Sequence, residues 1–446
     1  MDRRNQPDSK IAIIGIAILI FSILTFGAVE IWSSAILEAT VFTLVLIWPL
    51  SRRKEHILPW SKEEIYMPAI LFSFLAYTFI QTFPLPPEIL KFLSPESYKI
   101  YSFYSVDSDP KMYLSIHAYK TKVEFLRILT YSLFFLFISF SINNMVTVQR
   151  MLKILCYFGF GLAIFAIIQK ATWSGKIYWF REITEGCPFG PFVNRNHYAG
   201  LIGMFIPISL GVAFTRGNTE RKILFGFFSL IMAVSLFLSL SRGGIISFFV
   251  GVAVFALFVS WNRFKAKKLW ALGAFIFVLF LYILYLGIDP IIERFYKTDI
   301  TTEERLVVWS GTLNAFKDFY LTGSGLGTFI NIFPLYSPEG VNALYDHAHN
   351  DYLEFILEAG TIGVVLLLLF LLFFVRRVSK GTWEGDKGII KISLLSSITT
   401  MIVHSIFDFN LHIPSNALML SAIFGIAVAT SRLTSLQDDE LIKPKK

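Results

Sequence analysis

A cluster of polar side chains stands at the entrance to a long apolar run. The segment 345–360 reads YDHAHNDYLEFILEAG and places His347 and His349 directly before residues that begin a helix. Polar groups are costly beside a bilayer, so those that occur there usually serve a function. An imidazole titrates near neutral pH and can take a proton from a hydroxyl group. The stretch therefore predicts a working site with a histidine as general base.

The residues after the two histidines predict how they are held. Asn350 or Asp351 can cap the following helix, and Glu354 lies at the N3 position if Asp351 is the cap. Leucine, isoleucine and phenylalanine then lead to an apolar segment at 361–375. Both histidines are thus expected in the turn just before a membrane helix.

Three arginines lie at the ends of predicted helices. Arg242 is in SLSRGG, a short turn between two apolar helices, and Arg195 is in PFVNRNHYAG, followed by Asn196 and His197. Arg305 lies in the first turn of an amphipathic helix, where a cation opposes the helix dipole unless an anion or nearby glutamates compensate it. Each arginine alone could anchor the chain to lipid phosphate. Together with a histidine they predict a diphosphate site beside a base for a hydroxyl group.

Two further carboxylates are candidates. The segment HSIFDFNLHIP places His404 and Asp408 four residues apart on one helical face. Asp408 can be interpreted as a group that orients a catalytic side chain or as a simple helix-end carboxylate. Glu38 lies inside an apolar segment, which makes it a functional candidate without an assigned partner.

A metal site is the alternative use of the histidine cluster. His347, His349 and Asp351 offer ligand atoms suited to zinc or manganese. Alternating histidines of this kind occur in metal sites on strands, whereas a helix begins here at once. We therefore predict no metal and no cofactor.

The composition is that of an integral membrane protein. Of the 446 residues, 55% are hydrophobic and 16% charged, with a mean hydropathy of +0.61. Twelve charge-poor stretches are long enough to cross the roughly 30 Å of a bilayer core. They are residues 11–29, 31–50, 65–83, 125–143, 151–170, 198–214, 223–240, 244–261, 269–288, 356–375, 389–407 and 415–430.

The basic clusters predict the orientation. With the N-terminus inside, residues 52–54, 216–222, 263–268, 376–380 and 443–446 all face the cytoplasm, so the net charge of +8 need not indicate nucleic acid. We predict an all-α membrane protein with both termini cytoplasmic and a single polytopic domain over residues 1–446. Its largest outer loop, residues 289–350 between the ninth and tenth helices, is predicted to be a periplasmic subdomain that carries part of the active site.

Two smaller features complete this pattern. The GSGLG sequence at 323–327 follows a helix and lacks a Walker lysine, so a helix-ending turn is favoured over a phosphate cradle. Cys156 lies in an apolar segment and Cys187 in a polar loop, so no disulfide is expected.

The chain resembles the O-antigen ligase and polymerase superfamily, bacterial membrane enzymes that move glycans from polyprenyl diphosphate carriers. The matching pieces are PFVNRNHYAG, SLSRGGIISF, ERLVVW with GSGLGTF, HAHNDYLEFILEAGTIG and FDFNLHIPSNAL, in the expected order. The resemblance implies that His349 is the catalytic base and that Arg242 and Arg305 hold the donor diphosphate. Arg195 is assigned to the same diphosphate site. The supporting residues are His347, Asn350, Asp351, Asp408 and Asn196.

The resemblance implies a ligase-type glycosyltransferase in the bacterial cytoplasmic (inner) membrane, with its active site facing the periplasm. Its donor would be an undecaprenyl-diphosphate-linked glycan and its acceptor a lipid A core. Transfer would be inverting and metal-independent.

Two alternatives stay open. Within the superfamily, a polymerase would use a second lipid-linked glycan as acceptor, and other relatives glycosylate protein. A twelve-helix transporter is the alternative from another class. The short TRGNTERK loop after the sixth helix and the large outer loop disfavour it.

Overall fold

The computed structural model describes residues 6–51, 61–104, 111–261, 266–286, 293, 300–338 and 344–442. Within these ranges the predicted all-α class is confirmed. The α-helices are α1 Gln6–Leu24, α2 Ile31–Ser51, α3 Lys62–Ile80, α4 Pro87–Leu93, α5 Pro95–Tyr104, α6 Ala118–Ser141, α7 Met145–Ala171, α8 Arg195–Phe214, α9 Thr219–Leu238, α10 Arg242–Trp261, α11 Ala266–Leu286, α12 Ile300–Asp318, α13 Phe329–Tyr336, α14 Asp351–Ser379, α15 Gly385–His404 and α16 Pro414–Ile442.

Short elements join these helices. Strands β1 Pro84–Leu85 and β2 Met112–Tyr113 form one antiparallel pair, and β3 Lys176–Ile177 and β4 Arg181–Glu182 form another. Two 3₁₀ helices cover Phe26–Ala28 and Asn410–His412. The second of these lies between α15 and α16, close to the predicted site.

Nine helices of the described ranges are long and apolar enough to cross a membrane, namely α2, α3, α6, α7, α8, α9, α10, α14 and α16. Shorter apolar helices occur at Ile13–Leu24 and Lys268–Tyr282, inside α1 and α11. Each of the twelve predicted stretches overlaps an α-helix. The number of membrane crossings, their direction and the loop topology stay predictions.

Helix α8 forms the centre of the bundle and is buried from 197 to 213. A helix that is apolar on all sides must pack against protein on all sides. Its glycines allow α15 to approach closely, since a Cβ on Gly211 would lie 2.4 Å from Ser393 Cβ and one on Gly203 3.0 Å from Thr400 Cγ2. This packing holds the end of α15 beside the N-terminus of α8.

The end of α15 differs from the prediction. A helix over 389–407 was expected to place His404 and Asp408 on one face, but α15 ends at His404. The carbonyl of Ser405 accepts a hydrogen bond from the Asp351 N–H of α14 at 3.0 Å. Asp408 therefore lies in the turn between α15 and the 3₁₀ helix, which we call the 404–409 turn.

Helix α12 and the beginning of α14 share a second hydrophobic core. Val308 and Ala315 of α12 and Phe319 directly after it are buried with Ala348 and Leu357. The Trp309 indole N–H donates to the Ala348 carbonyl at 3.0 Å. Helix α12 thus fixes the backbone between the two histidines of the HAH sequence.

Helix α14 is broken at Gly360, whose φ is +62°. The predicted turn at 323–327 is confirmed, because α12 ends at Asp318. The 323–327 turn also packs against the break in α14. The Ser324 N–H donates to the Leu357 carbonyl and the Gly325 N–H donates to the Glu358 carbonyl, each at 3.0 Å. These bonds satisfy carbonyls that the interrupted helix leaves unpaired. The first segment of α14, residues 351–359, is therefore set independently of the apolar remainder.

Candidate active site

His349 lies in the turn directly before α14. Its φ of +51° is in the left-handed region, which non-glycine residues adopt at a cost in strain. Its Nδ1 lies 3.2 Å from Oδ1 of Asp408, and its ring packs edge-on against Phe409. About 30% of the His349 side chain is exposed. With Nδ1 engaged, Nε2 is the nitrogen that can take a proton from a substrate.

Asp408 is buried, and its Oδ1 also accepts the Phe409 N–H at 2.9 Å. Burial alone would raise the pKa of Asp408. The hydrogen bond with His349 and the neighbouring His197 outweigh burial and hold the pKa of Asp408 well below its usual range. Asp408 is therefore a carboxylate at neutral pH. A carboxylate on Nδ1 fixes the imidazole tautomer that leaves Nε2 as the base.

His347 belongs to a different group of side chains. Its Nδ1 lies 2.8 Å from Oε1 of the buried Glu354, and the same oxygen lies 3.2 Å from Nε2 of His412. Nδ1 of His412 lies 3.1 Å from Asp351, and Glu354 Oε2 accepts the Ala348 N–H at 2.9 Å. This network joins the turn before α14, the first turns of α14 and the 3₁₀ helix.

His412 supplies positive charge to this network. Burial would lower the pKa of His412, but the Glu354 carboxylate and the hydrogen bond to Asp351 raise it to about 10. An imidazolium at neutral pH can donate from both nitrogens to the two carboxylates. Each of the two buried carboxylates then has a charged hydrogen-bond donor, as a buried group of this kind requires.

The predicted metal ligands are not brought together as a set. His349 pairs with Asp408, and Asp351 pairs with His412. The ligand atoms of His347, Glu354 and His412 do lie within 4.8 Å of one another, so this trio has the spacing that an ion would need. The protonated His412 satisfies the same carboxylates, and the absence of a metal stays a prediction.

Two of the predicted arginines approach the 404–409 turn. Arg305 donates from Nη1 to the Phe407 carbonyl at 3.1 Å. It is the sixth residue of α12, so the expectation that it lies in the first turn is wrong. Arg242 begins α10, and a Cβ on its neighbour Gly243 would lie 2.9 Å from Phe407 Cβ. The elements that carry Arg305, Arg242 and His349 therefore meet on one turn.

Arg195 begins α8 and lines a neighbouring cavity of about 270 Å³. Asn196 contributes its backbone N–H, which donates to the side chain of Asn194, the N-cap of α8, at 2.9 Å. Asn350 is the N-cap of α14 and accepts the N–H groups of Tyr352 and Leu353. The alternative with Asp351 as the cap is thus wrong.

Residues 227–368 match the family model described as O-antigen ligase. The matched segment, 142 of the 446 residues, is similar to the O-antigen ligase family. This match confirms the superfamily predicted from the motifs, and no curated protein matches the chain. The matched segment contains Arg242, Arg305 and His349, whereas Arg195 and Asp408 lie outside it.

Several contributors to this candidate site were missed from sequence. The Phe409 ring lies 4.1 Å from the ring of His347, 5.0 Å from that of His349 and 4.8 Å from that of His197, centroid to centroid. Phe409 and His412 both occur in the HSIFDFNLHIP motif, so an aromatic and a histidine within it were the available signal. Glu354 was considered only as a capping residue.

Glu358 was also missed, and it explains the glycine-rich turn. Its carboxylate accepts the N–H groups of Gly327 and Phe329, each at 2.8 Å. A protein carboxylate thus occupies the amides that a phosphate cradle would use. Glu38 has a side-chain contact with Ser34 of its own helix, and its role stays unassigned.

Proposed function

We propose that the protein is an inverting glycosyltransferase that moves a glycan from an undecaprenyl-diphosphate carrier to a sugar hydroxyl of an acceptor. The O-antigen ligase match supports a membrane enzyme of this general type. The observation that carries the finer proposal is the His349–Asp408 pair on the turn that α10 and α12 also contact.

The reaction follows from the placement of these groups. His349 Nε2 takes the proton of the acceptor hydroxyl while that oxygen attacks the anomeric carbon of the donor sugar. The new carbon–oxygen bond forms as the bond to the diphosphate oxygen breaks, and the configuration inverts. Arg305 and Arg242 stabilise the charge on the departing diphosphate. Asp408 holds the imidazolium that results.

A second feature supports lipid-linked substrates. An apolar cavity of about 330 Å³ lies between α3, α6, α14 and α16, and its lining includes Phe74, Tyr131, Phe355 and Phe370. Ligand sites are typically apolar cavities with a few polar groups, which here include His412 and the carboxylates of Glu124, Asp351 and Glu358. A cavity of this composition suits the hydrocarbon chain of a lipid carrier or acceptor.

The decisive test is substitution of the base. In proteoliposomes that hold an undecaprenyl-diphosphate-linked glycan and lipid A core, His349→Ala should lower the transfer rate by about 100-fold to 10,000-fold, since a general base contributes that much. Binding of undecaprenyl diphosphate should change by less than about twofold, because the base contacts the acceptor. Equal loss of transfer and of donor binding would refute the assignment of His349 as base.

Two controls complete this experiment. His117→Ala removes a histidine that caps α6 by accepting the Lys120 N–H, and it should leave transfer unchanged. Incubating the wild-type protein with the donor alone distinguishes between the two acceptors that we consider. A ladder of products without lipid A core indicates a polymerase, and transfer only on adding lipid A core indicates a ligase.

A further inference from the structure

The cavity that Arg195 lines has not been used by the mechanism. It lies between the end of α7, the loop 186–190 and the residues 238–240 that immediately precede the turn of Arg242. Its volume of about 270 Å³ approaches the lower limit of typical small-molecule sites. Part of the cavity lining is therefore adjacent in sequence to Arg242 of the proposed diphosphate site, and the cavity is large enough for a sugar.

The walls of this cavity are held by hydrogen bonds. Gln169 is buried, donating from Nε2 to the Gly190 carbonyl and accepting the Tyr178 N–H at Oε1, both at 2.7 Å. The Arg195 N–H donates to the Cys187 carbonyl at 2.7 Å. These contacts tie the loop to α7 on one side and to α8 on the other. A cavity formed in advance lowers the entropy lost on binding.

The lining has one sign of charge. Lys170 and Arg195 are basic, and none of the described residues that line the cavity is acidic. Trp173, which is 42% exposed, adds a flat apolar face with an N–H donor. Basic groups form strong, charge-assisted hydrogen bonds with carboxylate and phosphate oxygens. An apolar face beside two cations suits a sugar ring that carries an anionic group.

We propose that this cavity is a subsite for an anionic sugar residue, so that the glycan which the protein transfers bears a carboxylate or phosphate. The inference rests on the proposed function and names the substrate class of that site. The donor's own diphosphate is assigned to Arg242 and Arg305, and Arg195, which the sequence analysis placed with them, is reassigned to this cavity, which it lines. A competing source of the same chemistry is an anionic lipid headgroup, because lysine and tryptophan at a helix end are common interfacial anchors.

The test compares two synthetic undecaprenyl-diphosphate donors that differ only in glucuronic acid or glucose at one position. Transfer is measured in phosphatidylcholine proteoliposomes, to lipid A core or by polymerisation. Lys170→Gln should lower kcat/KM for the acidic donor by about tenfold or more, through loss of one charge-assisted hydrogen bond. The neutral donor should change by less than about twofold.

The chain offers a matched control. Lys176→Gln removes an exposed lysine of β3 that pairs with Glu182 and does not line the cavity. This variant should leave both donors unchanged. If Lys170→Gln affects both donors alike, or neither, the inference is overturned. It is equally overturned if the Lys170→Gln effect appears only in vesicles that contain phosphatidylglycerol, since Lys170 then binds lipid.

Failure of the proposed function gives a different result. The wild-type protein would then transfer neither donor to any acceptor. In that case calorimetric titration with the free acidic and neutral oligosaccharides still tests the subsite. The subsite is supported if the protein binds the acidic oligosaccharide but not the neutral one, and if this binding is lost in Lys170→Gln and kept in Lys176→Gln. The subsite is overturned if the protein shows no such preference.

Discussion

Two histidines that are two residues apart in the chain have separate tasks. His349 pairs with Asp408, whereas His347 pairs with Glu354 and stacks on Phe409. The division follows from the backbone, because the positive φ of His349 separates its side-chain direction from that of His347. The two side chains are about equally exposed, at 29% for His347 and 30% for His349, so the two imidazoles differ in the partners that they contact.

We propose that Asp408 positions His349, and Asp408→Asn should distinguish this role from a purely structural one. The amide keeps the side-chain shape but cannot stabilise an imidazolium as a carboxylate does. We expect kcat for glycan transfer to fall by about 100-fold or more, with the donor KM unchanged. Asp386→Asn, a substitution in the first turn of α15 at the other end of that helix, should leave kcat unchanged. A rise in donor KM with normal kcat would contradict the prediction.

The charge of His412 should make stability depend on pH. Its pKa is raised to about 10 from an ordinary value of 6.5, so the stabilisation is fully present below pH 6.5 and is lost as the pH rises towards 10. The difference in thermal unfolding midpoint between wild type and His412→Gln should therefore be largest near pH 6 and shrink towards pH 10. Comparing the two proteins cancels the contributions of other titrating groups to the pH dependence. A midpoint difference that stays constant from pH 6 to pH 10 would refute the predicted contribution of the His412 charge.

At the scale of elements, the broken helix α14 explains how a polar site is supported at the edge of an apolar span. Its first segment carries Asp351, Glu354 and Glu358, and these three residues are buried. The turn at 323–327 and the Tyr77 hydroxyl, 3.0 Å from the Ala359 carbonyl, hold the break. Polar residues can thus face the site without lying on the apolar remainder of the helix.

Gly323→Ala should destabilise this junction. Gly323 has φ +68°, and a Cβ there would lie 2.1 Å from the Glu358 carbonyl oxygen, a backbone atom that cannot move aside alone. The backbone strain costs about 1–3 kcal/mol before the clash is counted. We expect a lower thermal unfolding midpoint and weaker transfer. Gly226→Ala in α9, where a Cβ meets nothing within 4 Å, should be neutral or slightly stabilising. Equal midpoints for the two variants would contradict the argument.

At the scale of the whole molecule, the two ends of α14 are built differently. Its N-terminal end carries the imidazoles and carboxylates of the site. Near its other end, Arg377 and Arg432 of α16 share the buried carboxylate of Glu64, with Arg432 Nε 2.6 Å from Oε1. Such a pair is strongly destabilised if one partner is removed. The ion group ties α3, α14 and α16 together far from the site.

The predicted orientation can be tested with the natural cysteines. Cys187 is exposed in a loop predicted to lie outside, whereas Cys156 is buried. A membrane-impermeant maleimide should label wild-type protein in intact spheroplasts and fail to label Cys187→Ala. In the Cys187→Ala background, Glu220→Cys at the exposed start of α9 should be labelled only after lysis. The reverse pattern would overturn the prediction that the site faces the periplasm.

The sequence by itself determined the local features of this protein. Apolar runs predicted where helices form, because length and apolarity are properties of a single segment. Asn350 was among the predicted caps, since a cap bonds to amides two or three residues away. The motifs around Arg242, Arg305 and His349 predicted the superfamily in the same way.

Only the tertiary structure decided which distant groups meet. Asp408 follows its histidine partner by 59 residues, and it reaches His349 because α15 ends early and its terminal carbonyls bind α14. The partners of His347 and the cavity around Arg195 likewise depend on how helices pack. Packing is set by side chains that meet across elements, such as Gly211 against Ser393. No spacing within one segment encodes such contacts.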